Sequence, residues 1–184
     1  CRSLGHEVVE APFDADAEQL SRAAVTLLAT DTLNAMTERA DALGRPLVEE
    51  DVEPGTWAIA QFGAARSASD YARAVRTIHQ IGRRLAAHME NYDVILSPTM
   101  ATPPLPLGKL SLSNPDREEQ GAATLASIGF TQLANAAGNP AMSVPLAWNE
   151  GGLPIGIQFL GRMNDEATLF RLAGQLEKAQ PWFD

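Results

Sequence analysis

Apolar positions along this chain recur at two spacings, and the change of spacing divides it into elements. From about Glu18 to Met36, the pairs Leu20, Ala23/Ala24, Leu27/Leu28 and Thr30/Asp31 follow at near-helical intervals. The stretch is rich in Ala and Leu, so pattern and propensity both predict a helix. Residues 40–68 are less regular: Leu43-Gly44-Arg45-Pro46 and Val52-Glu53-Pro54-Gly55 read as turns, with a short helix between Thr56 and Ala65. The strongest periodicity runs from about Asp70 to Asn91, with Ser69 as the expected N-cap. Its apolar stripe is Tyr71, Ala74/Val75, Ile78, Ile81/Gly82, Leu85 and Met89. Arg73, Arg76, Gln80, Arg83 and Arg84 fall on the polar face.

Shorter apolar runs predict strands. Leu4 to Ala11 reads as one, ended by Pro12, and Asp93-Val94-Ile95-Leu96 as a buried one. Pro98, Pro103, Pro104 and Pro106 put four prolines in nine residues, which rules out a regular ladder and predicts a long loop. A helix around Gln120 to Ile128, a turn at Gly129 and a helical segment through Leu133 to Ala137 follow. Ala141 to Trp148 and Pro154 to Gly161 read as a hairpin joined by Asn149-Glu150-Gly151-Gly152. Pro145 lacks a donor, which places that strand at an edge or at a bulge. The closing helix, about Asp165 to Lys178, has Asn164 at the cap position and Leu169, Leu172/Ala173 and Leu176 facing inward. Strands separated by helices predict an α/β layer architecture, in one domain over residues 1–184.

Charge changes this picture little. The net charge is -9, with 12 acids against 4 Arg in positions 1–53 and 6 bases against 3 acids in positions 54–109. An acidic chain is a poor general nucleic-acid binder. No apolar run approaches the ~18 residues of a membrane span, and no signal-peptide pattern opens the chain. The single cysteine excludes an internal disulfide or a multi-Cys zinc site. These features fit a cytoplasmic protein with no cofactor.

The motifs in the second half are more specific. Tyr92-Asp93-Val94-Ile95-Leu96-Ser97-Pro98-Thr99, Phe130-Thr131, Asn135, Gly138-Asn139-Pro140-Ala141, Ser143-Val144-Pro145 and Gly152-Leu153-Pro154-Ile155-Gly156-Ile157-Gln158 occur in that order, before the closing helix. Together they resemble the C-terminal part of the amidase signature family, and Leu4-Gly5-His6-Glu7-Val8 resembles a strand of the same fold. The resemblance implies a mixed β-sheet flanked by helices. It implies the C-terminal segment of a larger amide-bond hydrolase acting on non-peptide C–N bonds of a small-molecule amide. In that family a Ser–cis-Ser–Lys triad cleaves carboxamides, because a hydroxyl needs a base in reach and the oxyanion needs preorganised donors.

None of that triad is visible in this chain, so no catalytic residue is carried over. The only lysines are Lys109 and Lys178, and no Gly-Gly-Ser-Ser-Gly-Gly run occurs. Lys109 with Ser111 reads as a solvated loop, and Ser97 and Ser143 as structural hydroxyls. His79 and His88 lie nine apart, on opposite faces of one helix, which argues against a shared metal. Asn91, Asp93 and Asp165 read as caps or turn residues.

The resemblance implies that this segment packs against the catalytic N-terminal half and supplies part of the acyl-side pocket wall. The candidates are Thr99 with the loop after it, Asn135 and Asn139 in the turn before the hairpin, and Leu153, Pro154 and Ile155 in the hairpin. Proline and paired glycines let a rigid backbone approach a ligand closely. The same residues equally describe tight turns that hold strand register. The expected partners are the missing half of the fold and, through an open sheet edge, a second copy of the chain. The alternative is a non-catalytic partner-binding or structural module, similar to part of an amidotransferase amidase subunit.

Overall fold

A computed structural model describes residues 1–182. Six α-helices and three β-strands make up those residues, with single 3-10 turns between some of them. Helix α1 spans Ala17–Leu43 and runs past the expected Met36, because nothing breaks it before Gly44, a left-handed C-cap at φ 66°. Its N-cap is Asp16, whose carboxylate accepts from Gln19 N at 3.1 Å. Helix α2, Pro54–Ala64, starts with Pro at its first position and crosses α1 at Gly63. A Cβ there would lie 2.2 Å from the Ala29 carbonyl oxygen, so only glycine permits that backbone approach.

Helix α3, Ala68–His88, is capped by Ser67 and not by the expected Ser69. Ser67 Oγ accepts from Asp70 N at 3.1 Å, and the Asp70 carboxylate accepts from Ser67 N at 2.9 Å. The cap needs an acid three residues later, and only Ser67 has one. The inward stripe is buried at Ala74, Ile81 and Leu85 and continues to Met89, while Tyr71 at its start is about half exposed.

Strands β1 (Val94–Pro98), β2 (Ala141–Trp148) and β3 (Pro154–Gly161) form one antiparallel sheet in the order β1-β3-β2. Pro145 lies on the edge strand β2, at the register shift between Pro145 and Ala147, where its missing donor costs nothing. Between β1 and β2 come the proline loop, helix α4 (Arg117–Ser127) and the short helix α5 (Thr131–Ala137). Helix α6, Glu166–Ala179, closes the described chain. Its cap is Asp165, which accepts from Thr168 N at 3.4 Å. The expected cap, Asn164, is instead a left-handed turn residue at φ 61°.

The segment 4–11 is not the expected strand. Arg2–Leu4 is a 3-10 turn, Gly5 follows at φ 91°, and residues 6–16 are irregular. A strand needs a ladder, and the two edges of this sheet do not pair with it. The N–H groups of Leu4, Gly5 and His6 donate to Cys1 and Arg2 carbonyls instead.

Helices cover both faces of the sheet, which is the α/β layering expected. Val144 and Phe159 pack on Leu169, Leu172 and Leu176 of α6. On the opposite face Leu160, with Ile95, packs on Leu85, Met89 and Ala134. That second face is apolar only at one end. Strand alternation continues it through Ser97, Gln158 and Ser143, which are register partners in one row across the sheet. No helix among the described residues is long and apolar enough to cross a membrane.

Candidate functional site

Beyond the β1 terminus the pairing with β3 persists for one more bond: Thr99 N donates to Gly156 O at 2.9 Å. Thr99 Oγ1 and Ser143 Oγ then meet at 2.6 Å, joining the two outer strands across the central one. Gly156 makes this contact possible. A Cβ there would lie 2.7 Å from Ser143 Oγ and 2.9 Å from Thr99 Oγ1. Glycine is needed here for space and not for backbone angle, since Gly156 is not among the positive-φ glycines.

Beneath this pair sits Gln158, only 5% exposed. Its Nε2 donates to Ser97 Oγ at 3.1 Å and to the Phe130 carbonyl at 3.4 Å, just ahead of α5. A carbonyl cannot donate, so the Phe130 bond fixes which way the amide points. One hydroxyl of the Thr99–Ser143 pair donates to the other, which leaves a single O–H for an outside acceptor. The cluster contains no charged side chain. It is a neutral hydrogen-bonding surface at the root of the proline loop.

The six residues singled out in the sequence do not gather at one point. Thr99 belongs to the cluster. Leu153 and Pro154 are exposed at the hairpin turn, where Leu153 N donates to Asn149 Oδ1 at 2.8 Å. Ile155 lies two residues before Ile157, which packs toward α6, so alternation puts it on the other face of the sheet from Gln158. Asn139 is at the opposite end of β3, where its Nδ2 donates to Gly161 O at 2.9 Å. Five residue steps separate Gly161 from Gly156, about 17 Å along a strand. Asn135 is exposed on α5. Gln158 and Gly156 were missed as members of a site because only the strand register brings them beside Ser97, Ser143 and Thr99.

Asn139 does line a second feature, a groove of about 870 Å³ between α3 and the α5–β2 turn. His79 lines it too. His88, on the other side of α3, sits between the rings of Phe13 and Tyr92 at 5.2 and 5.1 Å. Among the described residues, no three His, Cys, Asp or Glu side chains are grouped to hold a metal ion.

The family model described as Amidase matches residues 1–170. The chain belongs to the amidase family. It is similar to a 6-aminohexanoate-cyclic-dimer hydrolase of Pseudomonas sp. (strain NK87), 27% identical over 187 aligned residues, covering 98% of this chain and 38% of that protein. The lipoamidase of Enterococcus faecalis is 30% identical over 200 aligned residues, covering 96% of this chain and 27% of that protein. A solved structure of 6-aminohexanoate cyclic dimer hydrolase complexed with substrate superposes with a TM-score of 0.88 at 28% identity. That match covers 98% of this chain and 39% of the other. The chain therefore spans two-fifths or less of the length of these relatives. Among the described residues, no hydrogen bond joins a lysine to a serine hydroxyl. Lys109 pairs with Glu119 instead.

Proposed function

We propose that this chain is the C-terminal segment of a hydrolase of non-peptide amide bonds, supplying core packing and part of the acyl-side pocket wall. The Ser and Lys chemistry resides in the remainder of such a protein. The neutral cluster of Thr99, Ser143 and Gln158 carries the reading. Part-buried hydrogen bonds of Gln158 and the surface bond between Thr99 and Ser143 hold it together, and an amide hydrolase needs a wall that positions the acyl group without reacting with it. Leu153 and Pro154 extend that wall along the hairpin. Ile155, Asn135 and Asn139 act at longer range, through the packing of the hairpin and of the α5–β2 turn.

The test is kinetic and uses a full-length enzyme containing this chain. Thr99→Val keeps the shape and removes the hydroxyl. It should lower kcat/KM roughly 3- to 10-fold for an amide whose acyl group carries a hydrogen-bonding substituent, the equivalent of one neutral hydrogen bond. An amide with an unsubstituted alkyl acyl group should change little. Equal losses on both substrates, with a fall in melting temperature, would make Thr99 a core residue and remove it from the wall. The 184-residue chain alone should hydrolyse neither substrate above buffer.

A second reading, a non-catalytic module docked on a companion subunit, draws on the exposed leucines of the proline loop, Leu105, Leu107 and Leu110. A stoichiometric complex with a defined amidotransferase subunit, lost on Leu107→Asp, would support it.

A further inference from the structure

Residues 6–15 cross the molecule without secondary structure, between two residues in the left-handed region, Gly5 at φ 91° and Asp16 at φ 49°. Asp is one of the few side chains that adopt this conformation readily. Within the segment, only the His6 N–H donates to a backbone carbonyl. It is a strap held by anchors at its ends, with no ladder along its length.

The two anchors are built differently. At the near end Leu4 packs against the α6 cluster, and His6 Nε2 lies 2.6 Å from Gln175 Oε1. At the far end Phe13 packs against the cluster of Leu85, Met89, Ala134 and Leu160, and Arg84 Nη2 donates to the Asp14 carbonyl at 2.9 Å. Phe13 also lies over the His88 ring at 5.2 Å, with Tyr92 at 5.1 Å. Buried there, His88 Nε2 has no hydrogen-bond partner. Apolar contact favours closure of this anchor, and the unpartnered nitrogen opposes it, because lifting Phe13 lets water reach that atom.

We propose that residues 6–15 are a releasable strap. Its α3 end lifts as a unit, with Gly5 and Asp16 as hinges, while the helices and the sheet stay folded. The unpartnered His88 nitrogen is what keeps that anchor releasable. Release uncovers the apolar cluster around Leu85 and Met89, with one imidazole nitrogen at its border. Both anchors lie within the described residues, and release does not depend on the hydrolase reading.

The test is limited proteolysis of the folded 184-residue chain by chymotrypsin, followed by mass spectrometry. To cut after Phe13, the protease must take that ring into its own apolar pocket, so the ring cannot remain on the cluster. The fragment 14–184 should appear before any other, at a rate that tracks the open population. Urea should accelerate this cut less steeply than it unfolds the chain, since little surface is exposed. His88→Phe keeps an aromatic ring under Phe13 and removes the unpartnered nitrogen. It should slow the cut roughly 5- to 100-fold, the equivalent of one buried polar atom without a partner. Arg84→Gln, a surface change that leaves the core intact, should speed it about 2- to 5-fold. Circular dichroism melts confirm that both variants stay folded. A folded His88→Phe chain cut as fast as the wild type would overturn the proposal, as would a rate that Arg84→Gln leaves unchanged. A cut after Phe13 that matches cuts within α1 or α6 in rate and urea dependence would also overturn it, because opening would then be global.

Discussion

Substituting Gly156 by Ala tests how the two outer strands are fastened over the central one. The new methyl would sit 2.7 Å from Ser143 Oγ, 2.9 Å from Thr99 Oγ1 and 3.2 Å from Thr99 Cβ. The two nearest atoms belong to short side chains fixed by their mutual 2.6 Å bond. Relief requires breaking that bond, about 0.5–1.5 kcal/mol, and leaves overpacking of about 1–3 kcal/mol. Restricting the unfolded chain returns about 0.4–1 kcal/mol. The net expectation is a destabilisation of about 1–4 kcal/mol. Urea denaturation followed by circular dichroism should show a lower midpoint at an unchanged slope. Gly174→Ala is the control, since a Cβ at Gly174 in α6 meets nothing within 4 Å. It should stabilise by up to about 1 kcal/mol, the helix preference for Ala. Adding Ser143→Ala to Gly156→Ala should recover part of the loss, because it removes the closest atom. A Gly156→Ala protein as stable as Gly174→Ala would refute the reasoning, as would strict additivity in the double variant.

Three further outcomes follow from the same geometry. Gly63→Ala should cost about 3 kcal/mol or more in urea midpoint, because its Cβ would meet Ala29 backbone, which cannot rotate away; a loss below that of Gly156→Ala would show that the α1–α2 crossing is soft. Asn139→Ala should cost about 1–3 kcal/mol by leaving the buried Gly161 carbonyl without its side-chain donor, and a neutral melt would return Asn139 to the list of ligand contacts. The Arg45 guanidinium, and then the Val48 N–H, hold the Asp51 carboxyl well below its ordinary value of 3.8. A depressed carboxylate contributes above its unfolded pKa and loses that contribution as pH falls through the lower folded one. The Arg45–Asp51 clasp should thus stay closed while exposed aspartates protonate, and a carbonyl-carbon NMR titration of Asp51 with a midpoint near 3.8 would contradict it.

The helices were legible because their signals are local. The α6 stripe of Leu169, Leu172 and Leu176 and the hairpin strands at 141–148 and 154–161 are where the pattern put them. Pro145 correctly announced an edge with an irregular register, since a missing donor has meaning whatever the partner strand is. The errors arose where a local signal had competitors. Ser69 and Asn164 are good cap residues by type, but Ser67 has an acid three positions on, and Asp165 leaves Asn164 in the preceding turn. The Leu4–Ala11 run has strand composition and no strand partner. Composition cannot supply a ladder.

Of the cluster around Thr99, the sequence singled out Thr99 alone, for a different reason. Ser97, Thr99, Ser143, Gly156 and Gln158 come from β1 and its end, and from a hairpin that begins more than forty residues later, and what unites them is register. Once β3 lies between β1 and β2, the period of two forces Ser97, Gln158 and Ser143 onto one face in one row. The apolar half of that face is buried by α3 and α5, so the polar half must either meet water or satisfy itself. It mostly satisfies itself, through the Gln158 bonds to Ser97 and Phe130 and the Thr99–Ser143 pair. A row of hydroxyls and an amide on a sheet whose other rows are Leu, Ile and Phe is costly for stability alone, because well-packed apolar residues would serve it as well. The acyl-side wall proposed above would give this neutral row, at the root of the proline loop, a use that stability alone does not.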